Sequence, residues 1–165
     1  MAHTPRIHES AFVHPAATVI GNVTLGPRVS VWPTAVLRGD VDRIEVGEDT
    51  TVQDGTIVHC DDRLPTRIGN RVGIGHRAII HSAILEDDCL IGMGAIVLSG
   101  CHVGTGSIIG AGALCREGMK VPPNSLVVGV PGRIVRQTTE ADRSRIRATV
   151  EHYAELRSRY QRGEF

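Results

Sequence analysis

Aliphatic side chains recur at every sixth position along most of this 165-residue chain. This period is neither that of an α-helix nor the plain alternation of a half-buried strand. It predicts a short strand followed by a corner, and three such sides close a triangular coil of about 18 residues. The series comprises Val13, Val19, Leu25, Val31, Leu37, Val46, Val52, Val58, Ile68, Ile74, Ile80, Leu85, Ile91, Val97, Val103, Ile109, Val121 and Val127, with Cys115 at one further position.

The positions two residues earlier hold small or β-branched side chains, and glycine often follows the aliphatic residue. Small side chains fit a narrow interior, and glycine serves corners that need a positive φ or a close backbone approach. We therefore predict an all-β solenoid, a parallel β-helix of about six coils, over residues 1–135. The small positions are Val23, Val29, Ala35, Thr50, Thr56, Val72, Ala78, Cys89, Ala95, Cys101, Ser107 and Ala113.

The pattern changes after Pro131. The segment Thr139-Glu140-Ala141-Asp142 has the form of a helix-capping box. Apolar residues then recur at helical spacing, which predicts an amphipathic helix from about residue 140 to 161. We expect the C-terminal segment 136–165 to pack on one face of the prism as part of the same domain. The apolar positions are Ile146, Val150, Tyr153, Leu156 and Tyr160.

Three interruptions of the repeat place three outward residues in one column. When the hexads are folded into coils of three, the aliphatic residues before the breaks fall on the same side of successive coils. The residues that follow them point outward, because neighbours in a strand alternate in direction. Imidazoles in coils about 4.8 Å apart can converge on one metal ion. The aliphatic residues are Leu37, Val58 and Ile80, and the outward column is Arg38, His59 and His81.

His76 lies outside this column, two residues after Ile74 and near the corner of the adjacent side. We expect a neighbouring prism to supply it, and a prism with a shared site on one edge closes naturally as a homotrimer. Three neutral imidazoles with an open position are typical of a hydrolytic or hydrating zinc site. Fe²⁺ and Co²⁺ also suit such ligands.

Five motifs together resemble the γ-class carbonic anhydrases and their close relatives: Arg38-Gly39-Asp40, Val52-Gln53-Asp54-Gly55, His59, Gly75-His76 and His81. The six-residue repeat resembles the wider hexapeptide-repeat family, whose prisms coil left-handed. The resemblance implies metal-dependent, reversible hydration of carbon dioxide to bicarbonate, through a hydroxide formed on the metal at trimer interfaces. It also implies that His59 and His81 come from one subunit and His76 from the next.

The same resemblance implies roles for the residues around the histidines. Gln53 would orient the hydroxide or the substrate through its amide, and Asp54 would fix a histidine or an interface contact. Arg38 would form an ion pair with Asp40 near the subunit boundary and attract bicarbonate. Tyr153, on the C-terminal helix, would face the site from outside.

The proton relay of the fast family members has no clear counterpart. Those members carry glutamates in acidic loops, whereas here Val41 follows Asp40, and the loop between Cys60 and Arg67 has only Asp61 and Asp62 as acids. We interpret these two aspartates as a solvated turn, with proton relay as the alternative.

Other functions remain open from the sequence. Many hexapeptide proteins are acyltransferases that use coenzyme A, which requires one catalytic histidine and a slot for pantetheine. A non-catalytic metal-binding or assembly protein could retain the same three histidines. A metal hydroxide could also hydrolyse a small activated substrate such as a thioester.

The composition bears on the kinds of partner and on the compartment that we expect. Basic and acidic residues balance at 18 each, so nothing indicates binding to nucleic acid or an anionic membrane. The chain has no apolar run of about 18 residues, so no membrane span is expected. The N-terminus lacks the apolar stretch of a secretory signal, and we expect a cytoplasmic protein whose four cysteines are reduced.

Overall fold

Short strands follow one another around the three faces of a prism in the computed structural model, which describes residues 3–165. The strands β1 to β19 are, in chain order, Arg6–Ile7, Phe12–Val13, Thr18–Leu25, Ser30–Val31, Val36–Val46, Thr51–Val52, Ile57–His59, Thr66–Ile68, Gly73–Ile74, Ile79–His81, Ile84–Leu85, Leu90–Ile91, Ile96–Val97, His102–Val103, Ile108–Ile109, Leu114–Cys115, Lys120–Val121, Ser125–Val128 and Arg133–Gln137, and the helix α1 is Glu140–Gln161.

Each coil lies on the previous one with its strands parallel and in register. The first face contains β7, β10, β13, β16 and the first halves of β3 and β5, and here Val58 pairs with both Leu37 and Ile80. The second face contains β1, β8, β11, β14, β17 and the second halves of β3 and β5. The third contains β2, β4, β6, β9, β12, β15 and β18, closed by the antiparallel β19.

The stack has about seven turns, which confirms the predicted parallel β-helix. The repeat alone predicts about six coils, and strand β1 lies before the first residue of that repeat, Val13. The inner aliphatic residues are excluded from solvent, as Leu37 and Ile80 illustrate. Polar residues at the small positions are satisfied by the backbone, since the Thr56 hydroxyl donates to the Gly75 carbonyl at 3.1 Å.

All four cysteines are free and buried. Burial raises the pKa of the Cys89 and Cys115 thiols to about 12, and it also raises the pKa of the Cys101 thiol. Cys60 is fully buried and therefore points into the core, away from the outward side chain of His59. These thiols are inert fillers of a narrow interior.

The glycines that follow the aliphatic residues are required by the closeness of the next coil. A Cβ on Gly75 would lie 2.7 Å from the backbone nitrogen of Met93, and a Cβ on Gly92 would lie 2.4 Å from that of Ala111. Positive φ occurs two residues later, as at Gly94. Glycine therefore lets the coils stack, and it leaves part of the third face without side chains.

The first inserted segment is a strand that continues around a corner. β5 is unbroken from Val36 to Val46 and pairs with β3 on two faces. The insertion after Val58 differs, because residues 60–65 form a loop between β7 and β8. The extended course of β5 brings Asp40 to the edge of the histidine column.

Helix α1 begins where the sequence predicts. The Thr139 side chain accepts a hydrogen bond from the Asp142 N–H, and the Asp142 carboxylate accepts one from the Thr139 N–H. The helix packs on the third face against β4 and β9. The ring of Tyr153 meets that of Trp32 edge to face, with centroids 5.2 Å apart, and this contact holds Tyr153 beside the corner after β9. Across residues 3–165, no helix combines the length and apolarity that a membrane crossing requires.

Candidate metal centre

His59 and His81 occupy the same position in adjacent strands. They are paired residues of β7 and β10, and Nδ1 of His59 lies 3.1 Å from Nε2 of His81. Two nitrogens that bind one tetrahedral zinc ion at about 2.0–2.1 Å are about 3.3 Å apart. The observed separation therefore matches that of two ligands of one ion.

The other ring nitrogen of His59 is bound by an acid. Its Nε2 lies 3.0 Å from Oδ1 of Asp40, whose Oδ2 accepts a hydrogen bond from Arg38 at 2.6 Å. The Arg38 guanidinium, and then His59, lower the pKa of Asp40 below its usual value. An ionised carboxylate only accepts hydrogen bonds, so Nε2 of His59 carries a proton and Nδ1 is left with a lone pair.

His81 is held in the complementary way. Its Nδ1 lies 3.0 Å from the Ser99 hydroxyl, which donates its one proton to Oδ2 of Asp61 at 2.8 Å. Ser99 must therefore accept from Nδ1 of His81, which leaves Nε2 without a proton. Two lone pairs then face each other, and a cation between them is stabilised. The residues fit a divalent metal ion.

Asp61 is thus more than the solvated turn that the sequence suggests. Its carboxylate accepts from Ser99 and lies 3.6 Å from Nδ1 of His81. The Ser99 hydrogen bond lowers the pKa of Asp61 below its usual value. The spacing carries a signal that could have found Ser99, since it lies 18 residues after His81, the length of one coil.

His76 lies at the corner after β9, apart from the pair. Its Nδ1 is 3.0 Å from Oδ2 of Asp54, and its Nε2 is 3.3 Å from the Tyr153 hydroxyl. Burial, and then the charge of Asp54, raise the pKa of Tyr153. Gln53 is nearly buried, with 5 % of its surface exposed, and lines the same cavity as His76 and Tyr153.

The predicted site residues therefore form two groups. Within residues 3–165, no three histidine, cysteine, aspartate or glutamate side chains are clustered to hold a metal ion. The reason is geometric, because His76 precedes β10 and His81 ends it, so the width of the first face separates them. One group is Arg38, His59 and His81, and the other is Gln53, Asp54, His76 and Tyr153.

Comparison with known proteins assigns the family. The family model described as bacterial transferase hexapeptide (six repeats) matches residues 82–117. The protein named probable carbonic anhydrase of Methanocaldococcus jannaschii is 45 % identical over 150 residues, which are 91 % of this chain and 94 % of the relative. This chain belongs to the γ-carbonic-anhydrase-like branch of the hexapeptide-repeat family.

Two further relatives show the breadth of that family. Mitochondrial gamma carbonic anhydrase 2 of Arabidopsis thaliana is 37 % identical over 93 % of this chain, which spans 57 % of that relative. The solved structure of a hexapeptide transferase family protein from Anaplasma phagocytophilum has a TM-score of 0.91 and 38 % identity, covering 94 % of this chain and 92 % of its own.

Proposed function

We propose that this chain forms a homotrimer with a divalent metal ion at each interface and catalyses the reversible hydration of carbon dioxide to bicarbonate there. The observation that carries the proposal is the 3.1 Å separation of Nδ1 of His59 and Nε2 of His81. Both outer nitrogens are already bound by Asp40 and Ser99. An acid or hydroxyl on the outer nitrogen is the usual support of a metal-binding histidine.

A second copy is proposed to supply His76 as the third ligand. Asp54 occupies Nδ1 of His76, so Nε2, which the Tyr153 hydroxyl contacts at 3.3 Å, is the nitrogen that would exchange this contact for the metal. Two apolar side chains on paired strands are exposed beside the His59–His81 pair: Ile57 at 39 % and Ile79 at 36 %. Contiguous exposed apolar surface indicates a contact with another protein, and here the partner is a further copy of the chain.

The metal, for which we propose zinc with Fe²⁺ or Co²⁺ as substitutes, supplies Lewis acidity that lowers the pKa of water to about 7. Gln53 can orient water or bicarbonate through its amide, because it is nearly buried beside His76. Arg38, held by Asp40, attracts the anionic product. Tyr153 places a hydroxyl within reach of a molecule bound beside His76.

Complementation between two inactive variants tests the proposal. His76→Ala keeps the His59–His81 pair, and His81→Ala keeps His76. In randomly mixed trimers, about one quarter of the interfaces combine both intact groups. We expect each variant alone to lack metal and hydration by stopped flow, and the co-expressed mixture to recover about a quarter of each. A mixture as inactive as its parts contradicts a shared site, and metal without hydration contradicts the reaction.

Acyl transfer from coenzyme A is the second candidate. It is supported by the transferase names of the matching family model and of the Anaplasma structure. An acyltransferase needs a single histidine, so the paired imidazoles favour the metal site over this candidate. Saturable coenzyme A binding by metal-free protein, with no metal uptake, would favour the transferase.

We propose the cytoplasm as the compartment. All four cysteines are free, as a reducing compartment keeps them.

A further inference from the structure

A groove runs between helix α1 and the corner column that contains His76, Met93 and Ala111. We call it the α1 groove. Its volume is about 610 Å³, within the range of about 300–1,000 Å³ that holds organic ligands. Carbon dioxide and bicarbonate are only a few times larger than a water molecule, which takes about 30 Å³. The α1 groove is therefore too large for the substrate of the proposed reaction.

The floor of the α1 groove is a ladder of glycines on the third face. Gly75, Gly92 and Gly110 follow residues that are paired in register, and the apolar side chains of Leu90, Ile108 and Leu126 line the groove beside them. Their backbone N–H groups all donate to the next coil, so the floor offers no free donor. Leu126 lies four coils from Gln53 at the other end, about 19 Å away at about 4.8 Å per coil. The shape and chemistry suit an extended apolar chain.

The wall formed by α1 carries a cation that faces this floor. Arg145 lines the groove. Its backbone carbonyl accepts a hydrogen bond from the Thr149 hydroxyl, and among the residues described its guanidinium forms no ion pair or hydrogen bond. Arg136, also at the groove, is already paired with Asp142. Arg145 and Tyr153 are eight residues apart on one helix, which is about 12 Å at about 1.5 Å per residue. A ligand with an anionic end at Arg145 would thus extend to His76.

We propose that the α1 groove binds a linear medium-chain carboxylate, with its carboxylate paired to Arg145 and its chain lying over the glycine floor toward His76. An exposed ion pair contributes little by itself, so the chain provides most of the affinity. Each methylene that is fully buried strengthens binding by about fourfold. This inference goes beyond the proposed hydration and requires neither metal nor activity.

Calorimetric titration of metal-free protein with hexanoate, octanoate and decanoate tests the inference. We expect one site per chain and an affinity that rises with length, by up to about fourfold per methylene. Ala148→Phe fills the groove from α1 and should abolish decanoate binding. Arg145→Gln should weaken all three acids by a similar factor. Arg147→Gln removes a like charge from the same helix outside the groove and should change nothing.

Three results would overturn the inference: no saturable decanoate binding by the unaltered chain, equal affinity for all three acids, or undiminished binding by Ala148→Phe. The competing occupant of the groove is a second copy of the chain, and light scattering identifies it. In that case the unaltered chain binds no decanoate, and the Ala148→Phe variant no longer forms trimers. Circular dichroism establishes that each variant is folded. Failure here leaves the complementation result untouched, since that experiment measures metal and hydration.

Discussion

The two halves of the proposed metal centre are built in different ways. His59 and His81 belong to paired strands, so the register of the first face alone brings their nitrogens 3.1 Å apart. His76 lies at a corner and is held by Asp54 from the previous coil and by Tyr153 from α1. The first half depends on local stacking, whereas the second depends on the helix and, in the proposed trimer, on a further chain.

The histidines of both halves are oriented in the same way, by a partner on one ring nitrogen. In each histidine, an acid or hydroxyl occupies one ring nitrogen. The other nitrogen faces the second imidazole in the His59–His81 pair and the Tyr153 hydroxyl at His76. The comparison teaches that the histidines of each half are oriented separately by contacts within one chain, although in the proposed trimer the halves meet only between chains. Variants that act on one half at a time can therefore break or sharpen the comparison.

The largest effect is expected when a ligand of the paired half is removed. His81→Ala should reduce bound zinc from a stoichiometric amount to none, because the two remaining imidazoles, of His59 and His76, are too few to hold the ion. Metal analysis after gel filtration measures this. Cys101→Ala is the control, since its buried thiol is remote from the site, and it should keep its metal. Stoichiometric zinc in His81→Ala would remove His81 from the ligand set.

The next effect separates the halves without touching a ligand. Ile79→Asp puts a charge on the exposed apolar surface of the first face and should give monomers by light scattering. Zinc affinity should then fall by more than about 100-fold, because a whole ligand is lost. Loss of a residue that only hydrogen-bonds a ligand weakens metal binding by at most about 100-fold. Ile84→Asp is matched in exposure, at 37 % against 36 %, but lies on the second face and should stay trimeric. Full affinity in an Ile79→Asp monomer would place all ligands in one chain.

A smaller effect is expected from the support of the paired half. Ser99→Ala leaves Nδ1 of His81 without its nearest acceptor and should weaken zinc binding by about 10–100-fold. Ser99→Thr keeps the hydroxyl and should restore most of the affinity, which a purely structural role would not predict. The visible spectrum of the Co²⁺ form checks the ligand geometry. Equal affinities for the alanine and threonine variants would exclude this role.

The smallest effect is expected at the corner half. Tyr153→Phe removes a hydroxyl 3.3 Å from His76 but keeps the ring against Trp32. One hydrogen bond contributes about 0.5–1.5 kcal/mol, so zinc affinity should change by about two- to tenfold. Tyr160→Phe, on the same helix and also packed on Trp32, is the control. A Tyr153→Phe loss as large as that of His81→Ala would show that the two halves are not separable.

Much of the fold could be read from the sequence, but the outer contacts of the site could not. The outward column followed from the repeat, since Val58 and Ile80 are buried in register. The contact between Asp40 and His59 was missed, because the six-residue repeat is interrupted after Leu37 and does not predict that β5 continues as one strand to Val46. The sequence analysis paired Asp40 only with Arg38.

The sequence by itself determined the solenoid, its interior and the start of α1, because burial imposes the same choice at every sixth position and Thr139 with Asp142 caps the helix locally. Only the tertiary structure decided which ring nitrogens are free, that Ser99 and Asp61 support His81, and that α1 forms a groove on the third face. Those contacts join residues from different coils, and the lengths and conformations of the corners set their alignment. No local pattern of hydrophobic and polar residues encodes that alignment.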